Sequence, residues 1–226
     1  MMLSVHICDL DLRAAVRVLR HPPRPTEVPG LQYAETLITA PLSGNLLPSP
    51  RLRPTAMLAA WESDEALETF AGSHPLARKL ASGWQVRLQP LHVYGEWPGL
   101  QDLPTGEIEV SDEEPVAAIT LGRPRARRLP AFLKASARAE AEAVTNPGMI
   151  ASTGLARPPR LVSTFSIWHN VAAMRAYTRG SSDGGHPRAT KTDRANPFHH
   201  ESAFIRFRPY ASRGQWDGRD PLALAT

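Results

Sequence analysis

A single cysteine, Cys8, stands in a chain of 226 residues. One thiol allows no disulfide within the chain and no cysteine-rich metal centre, so stability has to come from packing. Lysine is nearly as scarce. Lys79, Lys134 and Lys191 are the only ones, and the formal charge of +4 rests on arginine. Surfaces that bind nucleic acid favour lysine-rich stripes interleaved with exposed aromatics. Here the basic cluster Arg123, Arg125, Arg127 and Arg128 sits beside prolines in a linker-like stretch, so no nucleic-acid partner is expected. The charge is read as solvating, with a second use in holding ligand carboxylates or phosphates through the planar guanidinium. Long apolar runs are missing as well. Thr55 to Trp61 and Leu161 to Trp168 fall far short of the roughly 20 residues a membrane-spanning helix needs, so no integral membrane segment is expected. The opening MMLSVHICDLDLR has no basic n-region and meets two aspartates early, which reads as a first strand and not a signal peptide; a cytoplasmic location is the expectation. No phosphate-cradling glycine loop, HExxH, G-x-S-x-G or paired-cysteine metal motif occurs. Hydrolysis and nucleotide-driven chemistry lose their signatures, leaving redox chemistry on an apolar substrate or ligand binding alone.

What is present is a duplication. Ala59-Ala60-Trp61 followed by SDEALETFAG resembles Phe165-Ser166-Ile167-Trp168 followed by NVAAMRAYTRG. In both copies an aromatic stands nine residues after the Trp, Phe70 or Tyr177, then Gly72 or Gly180, then His74-Pro75-Leu76-Ala77 or His186-Pro187-Arg188-Ala189. Each copy closes on Gly-[Glu/Gln]-Trp-x-Gly, from Gly95 to Gly99 and from Gly214 to Gly218. Landmarks that keep their order argue for a repeated supersecondary unit.

Periodicity gives each copy the same element order. Ser4 to Cys8 is a strand; after the N-cap Asp11, Leu12, Ala15, Val16 and Leu19 fall at helical spacing. Leu31 to Ala40 and Thr55 to Trp61 form a strand pair, Asp64 to Gly72 a helix with Leu67 and Phe70 inward, and Trp84 to Tyr94 the last strand. In the second copy Val116 to Leu121 is a strand, and Leu129, Phe132, Leu133, Ala137 and Val144 mark a helix. Met149 to Leu155 and Leu161 to Trp168 pair, a helix carries Val171, Met174 and Tyr177 or Thr178, and Ala203 to Phe207 closes the unit. Acidic, Pro/Gly-containing Gln101 to Pro115 suits a linker. The fold class is α+β: tandem ferredoxin-like β-α-β-β-α-β repeats, 1–104 and 105–226, whose bare sheet faces pack together into one pseudo-two-fold α+β barrel.

The second copy is more specific. LVSTFSIWHNVAAMRAYTRG, then His186, then SAFIRFRPYASRGQWDGRDPL resembles the C-terminal half of spheroidene monooxygenase-like proteins. The likeness covers about residues 160 to 222, and the first copy is similar only as a unit. The resemblance implies a dimeric α+β barrel fold within the single chain and a haem-containing monooxygenase of carotenoid pathways. It also implies an iron porphyrin, haem b, a hydrophobic small-molecule substrate such as a carotenoid, and an external electron donor. It leaves open whether the chain forms a further homodimer. Relatives of this superfamily hold haem through a histidine on or near the second helix of a unit, facing a pocket between that helix and the sheet. Carried over, that position matches His186 in the second copy, with His74 its counterpart in the first. Pro187 follows His186 and disfavours helical backbone before it, so His186 is expected to cap a helix.

The residues themselves supply the rest of the candidate set. Arg206 and Arg208 alternate with Phe204, Ile205 and Phe207, giving a strand with one basic face that would hold propionates or polarise oxygen; a solvated edge strand is the competing reading. His200, paired with His199 before that strand, would act in acid–base chemistry or donate a hydrogen bond, against an exposed loop pair. Phe165, Ile167 and Met174 are expected to wall the site. Trp61, Trp168, Trp97 and Trp216 are read as packing anchors, and Cys8 as a small buried hydrophobe. A cofactor-free monooxygenase, cyclase or isomerase in the barrel cavity, and a carrier of a hydrophobic ligand, are the competing functions.

Overall fold

The structure, a computed structural model, describes residues 1–43, 51–104, 106, 111–179, 191 and 196–224. Eight strands appear in chain order: β1 Met2–Asp9, β2 Leu31–Ala40, β3 Arg51–Trp61, β4 Trp84–Gly95, β5 Val116–Pro124, β6 Met149–Arg157, β7 Leu161–Trp168 and β8 His199–Arg213. The helices are α1 Leu12–Arg20, α2 Asp64–Ser73, α3 Pro75–Leu80, α4 Leu129–Val144 and α5 Val171–Arg179. Each half pairs its strands in the order last-first-third-second, and antiparallel seams β4–β8 and β2–β6 join the halves into a closed barrel, β1-β3-β2-β6-β7-β5-β8-β4. Closure removes every sheet edge. The expected tandem α+β barrel is what forms.

Alternation along the strands decides what the barrel contains. Leu3, Val5 and Ile7 of β1, Leu58 of β3, Leu88 of β4, Ile119 and Leu121 of β5, Phe165 and Ile167 of β7, and Ile205 and Phe207 of β8 form one buried cluster inside. Eight strands leave an interior just wide enough for side chains to fill. Trp84 packs there against Phe165 and Trp216, with ring centroids 6.1 and 5.6 Å apart, and its Nε1 donates to Asp220 at 2.9 Å.

The repeated motifs have structural explanations. Trp61 tilts against Phe70 at 5.0 Å, Trp168 against Tyr177 at 5.1 Å, each pinning the second helix of its half to the sheet. Gly95 and Gly214 both have positive φ, and a Cβ on either would lie 2.2 or 2.0 Å from a carbonyl oxygen, that of Ser202 in β8 or of Gly83 just before β4. Only glycine fits that approach.

Three expectations change. On α1, Asp11 caps as expected, accepting from Ala14 N at 2.9 Å, but the buried residues are Ala14, Ala15 and Val18, while Leu12 is 61% and Val16 40% exposed. Ala14 and Ala15 let this helix lie close to the sheet beside Val18, and Leu12 and Val16 turn outward. A short helix the periodicity did not reveal, α3, follows α2: His74 Nδ1 accepts from Leu76 N at 3.2 Å and Pro75 occupies its first turn. The stretch after Gln101 is not purely a solvated linker, because Leu103, with Leu100 just before it, is buried in the barrel cluster beside Trp97.

In the first half the outward face of the sheet is sealed. Ser4, His6 and Cys8 of β1 are buried beneath α1–α3. Ser4 Oγ accepts from Trp61 Nε1 at 2.9 Å and lies 3.0 Å from His6 Nε2. Burial, helped by Arg213, pushes the His6 imidazole down to about 3, and burial pushes the Cys8 thiol up to about 12. Neither supplies a thiolate or a titrating base near neutral pH. Because the unfolded chain holds the His6 proton more tightly than the folded one, stability is lost as pH falls from about 6.5 toward 3. His6→Leu should therefore lose roughly 2–3 kcal/mol less than wild type between pH 7 and 4.5 in urea titrations. Equal losses would show that His6 is protonated in the fold.

Candidate functional site

The second half of the same unit leaves its sheet open. The Trp61 and Trp168 correspondence sets Thr55, Met57 and Ala59 of β3 against Val162, Thr164 and Ser166 of β7. The first three are buried, and the second three are half-exposed. On the first strands, His6 corresponds to Thr120; His6 is buried, and Thr120 is exposed on a strand in the middle of its sheet. Small residues line this floor: Ala118, Thr120 and Gly122 of β5 and Ser166 of β7. Above it, α5 contributes Val171 and Met174, which pack with Val116, Ala118, Trp168 and Leu91, with Phe204 and Tyr177 at the margin. Tyr177 Oη donates to Ala139 O at 3.0 Å and ties α5 to α4, which brings Phe132 to one end. The result, among the described residues, is a shallow cleft over Thr120, Val162 and Thr164, bounded on one side by the packed Val171 and Met174 and on the other by Phe132.

Its polar groups are few. The His199 imidazole lies over Gly122, where a Cβ would come within 2.7 Å of Nε2, and meets Phe132 edge-on at 4.9 Å. Arg206 projects from the outward face of β8 beside Ala118 of β5 and His92 of β4. Its Nε is sealed from solvent and has no hydrogen-bond partner among the described residues. Arg208 is already engaged, Nε lying 3.1 Å from Glu114 Oε2.

The sequence-predicted residues divide accordingly. Met174 and Arg206 face the cleft. Phe165 and Ile167 do not: with their odd-numbered neighbours they point into the barrel, so the sheet stands between them and Met174. Period-two alternation puts Ser166 and Trp168 on the cleft side instead, and the strand's register to α5 was the information the sequence reading lacked. His200 lies exposed at the start of β8, whereas His199 is turned onto Gly122. Gly122 was a usable signal for His199, since a glycine in mid-sheet marks close approach by another group. His74 stacks on Phe70 at 4.8 Å and spends Nδ1 on its helix cap, while burial holds its imidazole below the usual value. His186 and Pro187 lie outside the described residues.

The other polar group, at the β2–β6 side of the barrel, neutralises itself. Glu35 binds Arg157 Nη1 through both oxygens, at 2.9 and 3.0 Å; Arg123 pairs with Glu201 at 3.1 Å; and Tyr33 Oη accepts from Trp97 Nε1 at 3.0 Å. With these charges matched, the cleft holds, among the described residues, a half-buried arginine whose Nε is unpaired. Phe132, Val162 and Phe204 supply partly exposed apolar surface and Arg206 a cation, a donor set chemically suited to a planar apolar group bearing carboxylates.

Comparison with known proteins agrees with the duplicated barrel. No family model matches the chain. Over 182 residues it is 30% identical to the spheroidene monooxygenase of Rhodobacter capsulatus, a match covering 78% of this chain and 75% of that one. It is 32% identical over 199 residues to the spheroidene monooxygenase of Rubrivivax gelatinosus, covering 84% and 73%. Among solved structures, an aldoxime dehydratase in complex with butyraldoxime superposes with a TM-score of 0.53 at 10% identity, over 92% of this chain and 79% of that one, a likeness of fold alone. The chain belongs to the spheroidene monooxygenase family.

Proposed function

We propose that the chain is a haem-dependent monooxygenase that oxygenates a hydrophobic, carotenoid-like substrate, with haem b held in the cleft of the second half. Family membership supports the monooxygenase activity and the substrate class. The observation that carries the cofactor's place is the difference in cover between the halves: the same sheet face is sealed over His6 and open over Thr120. Haem bound there supplies the activation of oxygen, with two electrons from an external donor. His186, as the family likeness implies, would hold the haem iron. Met174, Phe132 and Phe204 would exclude water from the porphyrin, Arg206 would hold a propionate, and His199 or His200 would donate or accept a proton at its imidazole. Among the described residues no helix is long and apolar enough to cross a membrane.

The test is the visible spectrum of protein produced with ample haem, as purified and after dithionite plus carbon monoxide. A Soret band that shifts with carbon monoxide is expected. A featureless spectrum after haem reconstitution sinks the haem reading. Turnover by that colourless protein would then indicate cofactor-free chemistry, and binding without conversion a carrier.

A further inference from the structure

In the first half, Arg87 projects from the outward face of β4 toward α2 and is fully matched there. Its Nη1 donates to Asp64 Oδ1 at 2.6 Å, its Nη2 pairs with Glu68, and Tyr210 Oη donates to the same Asp64 carboxylate at 2.9 and 3.1 Å. The duplication permits a position-by-position comparison. The Gly95/Gly214 and Trp97/Trp216 correspondence places Arg87 at Arg206 and Tyr210 at Leu91. The pairing of β4 with β8 respects it, since Gln85 faces Arg213 just as Tyr94 faces Phe204. The Trp61/Trp168 correspondence places Asp64 at Val171 and Glu68 at Arg175.

In the second half every partner of the arginine has been replaced by a group that cannot serve, and the arginine has stayed. Val171 and Leu91 are buried apolar residues, and Arg175 pairs with Asp112 at 2.7 Å. The nearby acids are committed elsewhere, Glu114 to Arg208 and Glu201 to Arg123. The Arg206 guanidinium is left with its sealed Nε unpaired among the described residues, a group that an anion from outside would complete.

We propose that Arg206 is the carboxylate anchor of the second-half cleft, standing ready for an anionic group of the bound ligand where Arg87 is closed by the protein's own acids. This deepens the porphyrin reading of the cleft and rests on it: the group anchored is a propionate. It also separates the two arginines, since Arg208 is already paired.

The experiment titrates the protein freed of haem with metal-free protoporphyrin IX and with its dimethyl ester, following porphyrin fluorescence, so that iron ligation and turnover play no part. Wild type should prefer the free acid by roughly 10- to 100-fold, the range of one charge-assisted hydrogen bond. Arg206→Gln should abolish the preference while leaving the ester's affinity unchanged. Val171→Asp, which restores the first half's carboxylate and keeps Arg206, should abolish it too, with circular dichroism confirming the fold. Equal binding of acid and ester by wild type, or a preference that survives Arg206→Gln, overturns the assignment. A preserved preference in a protein whose iron haem shows no carbon monoxide shift upholds the anchor and removes the haem-dependent oxygen chemistry. Failure of wild type to bind either porphyrin overturns both.

Discussion

Thr120→Trp is expected to weaken haem binding by on the order of 100-fold or more while leaving the barrel folded, read as loss of the Soret band in a haem titration. Thr120 projects outward from β5 into the open cleft, flanked by Ala118 and Gly122, so an indole there occupies the ligand's volume without meeting the barrel interior. The control comes from the duplication. His6→Trp places the same side chain at the equivalent point of the sealed half, where no space exists, and should cost about 1–3 kcal/mol of stability from overpacking without touching haem. His186→Ala separates ligation from space: iron coordination should be lost while metal-free porphyrin still binds. Full haem binding by Thr120→Trp would mean that haem sits elsewhere.

Trp84→Ala should lower stability by about 3–5 kcal/mol, close to the cost of removing a fully buried large aromatic. In a domain of this size that is a fall in Tm of roughly 10 °C. Trp84 has no exposed surface, touches Phe165 and Trp216, and donates to Asp220, which also accepts from Ser212 Oγ at 2.6 Å and Leu222 N at 3.1 Å. Those contacts tie the C-terminal segment over one end of the barrel. Backbone strain is not expected to add to the cost, since the equivalent residue of β8 is Ala203. A loss below about 1 kcal/mol would show that neighbours collapse into the space.

Both predictions depend on comparing halves, and the halves are legible in the sequence. The Trp, His-Pro and Gly-x-Trp-x-Gly landmarks placed the repeat, and alternation placed all eight strands, though β8 extends several residues beyond Ala203 to Phe207 at each end. Asp11 was readable as a cap because capping is local: a side chain and a backbone N–H three residues away. Helix facing was less legible. On α1 the bulkier stripe of Leu12 and Val16 suggested the wrong side, because contact with a sheet rewards small residues that the hydrophobic pattern undervalues.

The site followed the same division. That Arg206 shares a strand face with Arg208, and that Met174 lies on the inner side of a helix, was written in residue periodicity. Sequence by itself determined the duplication, the α+β class, the strand order within each unit and the basic face of the last strand, since these follow from spacings of two and of three to four residues along one chain. Tertiary structure decided which face of each sheet became the barrel interior, and so put Phe165 and Ile167 across the sheet from Met174. It decided that Thr120, Val162, Thr164 and Ser166 stay partly exposed while their counterparts in the first half lie buried beneath α1–α3, and that Glu114 takes Arg208 and leaves Arg206 unmatched. Those are contacts between residues far apart in the chain, set by the packing of whole elements, and no local pattern encodes them.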